Sequence, residues 1–297
     1  MPSPALALLN PLAGGGRCAA LAAPLREALP DVPLFLPGNV ALARERLLAL
    51  PPHSRVVVAG GDGTVHQLLP ALVERQHELA LLPAGTGNDL ARALKLDKLD
   101  WARRINLIKG SLAGAMDLGE LRVSDGPPQL FMSSLTAGFD AAVAIRALQA
   151  PRWLQGMPRY LFATLAEIGK LRCYPLQLTL DGVAQPVGQV LFASTLNTVS
   201  YASGMPVAPG ALIDDGLLNL VRVGAFGRVG ALLAMPLLLA GWHLRHPRIE
   251  MRQLRELQIE SNAELPLALD GETLPAAAPG QRLSVRALPL ALRVVRA

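Results

Sequence analysis

The residues best suited to chemistry in this chain sit in three glycine-rich loops. Gly60-Gly61-Asp62-Gly63-Thr64 follows the apolar run Arg55–Ala59 and opens a segment of helical periodicity. Without a Cβ, glycine turns tightly and leaves backbone N–H groups open to an anion. A helix starting there adds the positive end of its dipole. Asp62 puts a carboxylate where a Mg²⁺ bridging phosphates could be held, directly or through water. One apolar run later, Gly85-Thr86-Gly87-Asn88-Asp89 repeats the plan, with the Thr86 hydroxyl available to phosphate. Earlier, Asn10-Pro11-Leu12-Ala13-Gly14-Gly15-Gly16 closes the first apolar run. Each loop alone also reads as a strand-to-helix turn, with Thr64, Asn88 or Asp89 as helix cap. Neither GxxxxGK[ST] nor GxGxxG occurs, which excludes a P-loop and a dinucleotide fingerprint.

An open sheet has to position these loops. Strands are predicted at Ala5–Leu9, Val32–Leu36, Arg55–Ala59 and Leu79–Leu82. Helices are predicted at Arg17–Leu29, Val40–Leu50, Thr64–Arg75 and from Asn88. Pro70 is expected to kink or shorten the third helix. This alternation implies an α/β fold with an open, mostly parallel sheet, whose carboxyl edge is where ligands bind. Past residue 117 short strands and Asp-Gly turns dominate, as in a second, β-rich, sandwich-like domain. Its strands are predicted at Leu118–Val123, Gln129–Thr136, Leu176–Leu180, Val190–Leu196, Leu217–Val223, Gln258–Ser261 and Leu265–Asp270, with helices near 139–149, 158–172 and 226–245. The domains are therefore 1–117 and 118–287, with residues 288–297 open to a return to the first.

The 297 residues are 51% hydrophobic and only 17% charged, which supplies cores and excludes disorder. The net charge of +5 is carried almost wholly by arginine and favours anionic surfaces. Nucleic acid is not expected as a partner: no such motif accompanies the charge, and aromatic content is 4%. No basic segment precedes the first apolar run, so no signal peptide is expected. The most apolar stretch, Ala225–Leu244, is interrupted by Arg228 and Pro236 and reads as a buried helix, an interfacial helix being the alternative. Cys18 and Cys173 lack metal or redox spacing and read as reduced thiols.

Taken together, Asn10-Pro11-Leu12-Ala13-Gly14, Gly60-Gly61-Asp62-Gly63-Thr64 and Gly85-Thr86-Gly87-Asn88-Asp89-Leu90-Ala91-Arg92 resemble the diacylglycerol kinase catalytic domain family, which includes bacterial soluble lipid kinases and is related to sphingosine kinases. The resemblance continues in Met116-Asp117-Leu118-Gly119, Thr136-Ala137-Gly138-Phe139-Asp140-Ala141, Ala208–Leu218 and Leu269-Asp270-Gly271-Glu272, and so covers nearly the whole chain. It implies a first domain like that of NAD kinase and phosphofructokinase. It also implies an ATP- and Mg²⁺-dependent kinase that phosphorylates a hydroxyl of a diacylglycerol- or sphingoid-like membrane lipid. The implied nucleotide site is Asn10, Pro11, Gly14, Gly60, Gly61, Asp62, Gly63, Thr64, Val65, His66, Gly85, Thr86, Gly87 and Asn88. Asp62 and Asp89 are implied for the catalytic Mg²⁺ with Asp117 in support, and Asp270 as general base with Glu272 beside it. A structural Mg²⁺ or Ca²⁺ is implied at the Leu212 carbonyl, Asp215 and the Leu217 carbonyl.

The pattern is departed from at Gly15, where a lysine is common, and at His66 and Ser133, where asparagine is usual. Asp270-Gly271 is also an ordinary hairpin turn. On the substrate side, Arg152-Trp153-Leu154 through Phe162 mixes arginine with aromatics and reads either as a packed helix or as an interfacial segment. The resemblance further implies a cytoplasmic protein in peripheral contact with an anionic membrane at its inner face, with a homodimer left open. An NAD kinase-like phosphotransferase and a catalytically silent lipid-binding regulator are the competing readings.

Overall fold

The computed structural model describes residues 3–151 and 153–297. Arg152 and the first two residues, on which the interfacial and leader readings partly rest, lie outside the described residues. The chain divides into two compact units, one taking in the chain up to Met116 together with Leu290–Ala297, the other Asp117–Pro289.

The first unit is a parallel sheet with helices. Its elements are β1 (Leu6–Leu9), a 3₁₀ segment at Ala13–Leu21 that continues into α1 (Ala22–Ala28), β2 (Leu34–Phe35), α2 (Val40–Leu48), β3 (Arg55–Gly60), α3 (Asp62–Glu74), β4 (Glu78–Pro83), α4 (Asp89–Ala93) and α5 (Trp101–Gly110). β3 lies between β1 and β4, and β2 flanks β1, all parallel. Every residue of β1 and β3 is buried, as expected of strands covered on both faces. α3 begins two residues earlier than predicted and runs on through Pro70. The proline removes one donor, but five buried side chains, Val65 to Leu72, hold the helix to the sheet. At the amino end of the sheet the buried Arg55 donates to Glu78 Oε2 from Nε (3.0 Å) and Nη2 (2.9 Å), and to the carbonyls of Ile108 (3.0 Å) and Ser111 (2.7 Å).

The second unit is built on antiparallel strands: β5 (Ala113–Val123), β6 (Gln129–Phe131), β7 (Ser134–Gly138), β8 (Tyr174–Leu180), β9 (Val183–Ala184), β10 (Gly188–Leu196), β11 (Leu218–Gly224), β12 (Ile249–Leu254), β13 (Glu256–Ser261), β14 (Leu265–Leu269), β15 (Glu272–Ala277) and β16 (Arg282–Val295). Three helices are inserted: α6 (Phe139–Leu148), α7 (Met157–Ile168) and α8 (Arg228–Leu239). The predicted strand Gln129–Thr136 is two strands broken at Met132-Ser133, for a reason given below. β10 pairs with β7 and β8 on one edge and with β11 on the other, and β14 continues the order beyond β7. One core, around Phe131, Leu176 and Leu257, lies among the strands. The other, around Phe139, Phe192 and Val221, lies under the helices.

β16 starts beside β13 in the second unit and, after Leu290 at φ 53°, ends beside β4 in the first. The expectation of a buried helix over Ala225–Leu244 is corrected by α8, none of whose residues is buried. Among the described residues, no helix is long and apolar enough to cross a membrane.

Candidate active site

The three glycine loops leave the carboxyl ends of three adjacent parallel strands, β1, β3 and β4. Their first residues are laced together: Asn10 N donates to the Ala59 carbonyl (3.0 Å) and Ala84 N to the Gly60 carbonyl (2.8 Å). The Asn10 side chain donates to Thr64 Oγ1 at 2.8 Å, tying the first loop to the second. Gly61 and Gly85 meet backbone to backbone. A Cβ on Gly61 would lie 2.8 Å from the Gly85 Cα, and one on Gly85 would lie 2.6 Å from the Gly61 Cα. A Cβ on Gly14, at φ 62°, would lie 2.3 Å from the Ala84 carbonyl oxygen. Only glycine permits these approaches, so the loops form one cradle.

Asn88, at φ 56°, accepts from Gly85 N (2.9 Å) and donates to the Gly85 carbonyl (3.0 Å), bracing the third loop around the exposed Thr86 and half-buried Gly87. Asp62 stands in the first turn of α3 and accepts from Asp89 N (3.0 Å) and Leu90 N (3.1 Å), thereby capping α4. Asp89 is buried and accepts from Arg92 at 3.0 Å. Val65 is buried in the core side of α3, while Gly63, Thr64 and His66 are half-buried, and Pro11 is half-buried in the first loop. These residues fit a nucleotide triphosphate and its Mg²⁺. The close backbone approaches that only glycine allows hold the three loops together, and the carboxylates of Asp62 and Asp89 beside them supply the oxygen ligands a hard divalent cation takes.

The remaining predicted residues lie in the second unit. Asp270 and Gly271, at φ 50° and 83°, are the two-residue turn of the β14–β15 hairpin, and Glu272 opens β15. Asp270 does more than turn the chain. Its Oδ2 accepts from Met132 N (3.0 Å), and its Oδ1 from Ser133 N (2.8 Å) and Ser134 N (3.0 Å). Those three donors are freed by the break between β6 and β7, so the carboxylate holds that corner. Asp117 is fully buried and accepts from Gly216 N at 2.6 Å, closing the loop that carries Leu212, Asp215 and Leu217. Asp215 accepts from Leu217 N (3.0 Å) and from the Gln253 amide (3.1 Å), so the loop is held by its own backbone and by β12. Among the described residues there is no cluster of three His, Cys, Asp or Glu side chains able to hold a metal.

Under α6, α7 and α8 lie two adjoining cavities of about 80 Å³ each. Their shared walls are Phe139, Thr164, Phe192, Met235 and Leu238. The first cavity has a polar end made by Ser134, Thr136, Asp140, Tyr160 and Tyr201, and it reaches Gly271 beside Asp270. Asp140 Oδ2 accepts from the Ser194 and Tyr201 hydroxyls, the latter at 3.2 Å. Burial pushes the Asp140 carboxyl up to about 7, against the opposing pull of the Ser194, Ala141 and Tyr201 donors. Burial, with Asp140 alongside, pushes the Tyr201 phenol up as well. Gly138-Phe139-Asp140-Ala141 carried the resemblance without a role, and its position opening α6 is what aims it here.

Comparison with known proteins gives two family profiles in order along the chain. The diacylglycerol kinase catalytic domain matches residues 4–121, and the YegS C-terminal NAD kinase beta sandwich-like domain matches residues 133–296. A diacylglycerol kinase of Mycobacterium tuberculosis is 31% identical over 299 residues, covering 98% of this chain and 94% of that protein. A crystal structure of a diacylglycerol kinase from Bacillus anthracis has a TM-score of 0.70 at 18% identity, over 99% of this chain and 97% of its own. An NAD kinase from Archaeoglobus fulgidus in complex with ATP has a TM-score of 0.53 at 12% identity, over 98% and 93%. These two structures share the fold.

Proposed function

Because this chain belongs to the diacylglycerol kinase family, we propose that it transfers the γ-phosphoryl group of ATP to a hydroxyl of a diacylglycerol- or sphingoid-like lipid. The observation that carries the reading is the apolar cavity pair whose polar end reaches the Asp270-Gly271 turn. Apolar walls with a few convergent polar groups suit an alkyl chain bearing a hydroxyl. A soluble dinucleotide would waste such walls.

In this reading the backbone N–H groups of Gly61 to Gly63, Thr86 and Gly87 and the Thr86 hydroxyl face the phosphates, while Asn10, Thr64 and Gly85 spend their N–H groups on holding the loops in shape. Asp62 and Asp89 would hold Mg²⁺, which when bound neutralises the charge of the transferring group. Asp270 has three backbone donors on its carboxylate, one on Oδ2 and two on Oδ1. The carboxylate accepts the proton of the lipid hydroxyl, while the three donors keep it in place. Positioning of this kind is most of what phosphoryl transfer requires of a protein. Tyr160 and Thr136 orient the hydroxyl end of the lipid. Each cavity is smaller than the roughly 150 Å³ that takes up a benzene ring, so a long chain enters by displacing side chains of α7 and α8. The reading includes peripheral contact with the inner face of an anionic membrane. It also includes a divalent cation at the Leu212–Leu217 loop, for which a high-resolution map in millimolar Mg²⁺ is the check.

The test is labelled ATP offered with diacylglycerol, sphingosine, phosphatidylglycerol or NAD in parallel. Label is expected in diacylglycerol or sphingosine. Label in NAD alone would make the protein an NAD kinase, and lipid binding without transfer to any acceptor would make it a silent binding protein.

A further inference from the structure

Helix α8 is apolar on every side, yet only one side of it meets the core. Ala231, Ala234 and Leu238 pack against the cluster of Phe139, Phe192 and Val221. The opposite side carries Val229, Leu232 and Leu233, which are 72%, 47% and 69% exposed, and Pro236 extends the same stripe by a turn. After Arg228 the helix has no polar or charged side chain. A helix that is apolar all round is ordinarily buried all round, because leaving such side chains in water costs about 1.5–3 kcal/mol each. Helix α7, which packs on α8, repeats the arrangement. Its Ala163 is in the core while Phe162 and Leu165 are exposed.

We propose that the outer faces of α7 and α8 are the surface on which the protein docks on an anionic lipid bilayer, with α8 lying in the plane of the headgroups. Charge supports this occupant. Arg228 begins the α8 stripe, and Arg245 follows its end, stacked 5.2 Å from the ring of the exposed Trp242. Exposed Lys170 and Arg172 follow α7, whose acidic residue, Glu167, is paired with Arg146 at 2.8 Å. Apolar side chains flanked by cations and a tryptophan match the acyl–phosphate boundary of a membrane. The helix is about 18 Å long at 1.5 Å per residue, enough to lie in the interface and too short to span it. Continuity supports it too. Thr164, Met235 and Leu238 on the inner faces of the same helices line the cavities, so a lipid leaving the bilayer meets the pocket directly. The inference rests on the lipid reading of that pocket, but its test does not need turnover.

The full chain and its Leu232→Asp/Leu233→Asp variant are sedimented with phosphatidylcholine vesicles, with and without phosphatidylglycerol. Neither leucine is in the core or lines the cavities, and matching thermal unfolding confirms that the variant is folded. The variant is expected to lose vesicle binding by roughly tenfold or more. It is also expected to phosphorylate a monomeric short-chain lipid within about twofold of the parent, while activity on vesicles falls. Arg228→Glu/Arg245→Glu is expected to weaken binding to phosphatidylglycerol vesicles only, most at low salt. Unchanged vesicle binding by the leucine variant overturns the proposal. So does a shift from dimer to monomer with vesicle binding intact, which would make the face a contact between copies. If no lipid is phosphorylated by either protein but the variant still leaves the vesicles, the docking face stands and the kinase reading fails.

Discussion

At the scale of single residues, sequence shows which groups can act but not which backbone they hold. Asp62 and Asp270 were legible as carboxylates beside glycines. That each also clamps a second segment was not, because the partners Asp89 and Met132 to Ser134 are 27 and up to 138 residues away. This alters what their variants should do. In Asp270→Asn the new amide points an N–H at the Met132 N–H, leaving a donor unsatisfied, so stability is expected to fall by about 1–3 kcal/mol. Turnover is expected to fall by roughly 100- to 10,000-fold, with ATP affinity unchanged. Calorimetry at a temperature where the variant is folded, paired with kcat, is the check, and near-normal kcat would reduce Asp270 to a clamp. Gly61→Ala is expected to weaken ATP binding by about tenfold or more, because its Cβ meets the Gly85 backbone, which cannot swing away as a side chain would. Titration calorimetry reads this directly. Asp140 offers a pH test. Its carboxyl is raised from 3.8 to about 7, so the folded state favours the neutral acid. The associated stability is fully present below 3.8 and is lost as pH rises through about 7, at up to about 1.4 kcal/mol per pH unit between them. Asp140→Asn does not titrate, so it should gain on the parent across that window in urea unfolding and hold a constant difference above pH 8. Parallel pH profiles would exclude the shift.

Elements were readable where burial and periodicity agree. β3 and β4, buried between helices, read as continuous apolar runs, and their ends fell within a residue of the observed ones. α5 was missed because its sequence, WARRINLIKG, fully buries only Ile105 and Ile108, with Trp101 and Leu107 half-buried against the same core. The start signal was present all the same, since Asp100 accepts from Arg103 N at 2.8 Å as a helix cap. β15 was missed because it is an edge strand with Pro275 in it and only one buried residue, Ala277. α8 was found but wrongly buried, since hydrophobicity measures what a segment avoids, not what covers it. Elements also depend on pairs that sequence does not announce. Arg55 is the first residue of β3 and is wholly buried against Glu78 at the start of β4, which Arg293 of β16 also contacts at 3.3 Å. Glu78→Ala leaves a buried guanidinium without its carboxylate and is expected to cost about 3–5 kcal/mol, whereas Glu78→Gln keeps part of the hydrogen bonding and costs less. Thermal unfolding of both variants decides it, and equal midpoints to the parent would mean that water satisfies Arg55.

At the scale of the whole molecule, the first unit is not continuous in sequence. Its helices and four of its strands come from the chain up to Met116, but the strand beside β4 is the end of β16. The run Ala291–Val295 reads as a strand in sequence, yet its partner is more than 200 residues away, and no local pattern names it. In place, Arg293 pairs with Glu78 and Val294 with Leu79, while Leu292, Val294 and Val295 are buried. Burying each of those three side chains contributes about 1.5–3 kcal/mol. Their sum is comparable to the roughly 5–15 kcal/mol that holds an ordinary domain together. A chain ending at Pro289 keeps all three glycine loops, Asp62, Asp89 and Asp270. It is nevertheless expected to lose the parallel sheet's unfolding transition at ambient temperature, and ATP binding with it. Amide exchange gives a readout independent of nucleotide: protection in β3 and β4 should collapse, while β10 and β13, whose partners all lie before Pro289, keep theirs. If β4 stays protected in the shortened chain, the sheet is stable without its last strand, and the tail only fills an edge.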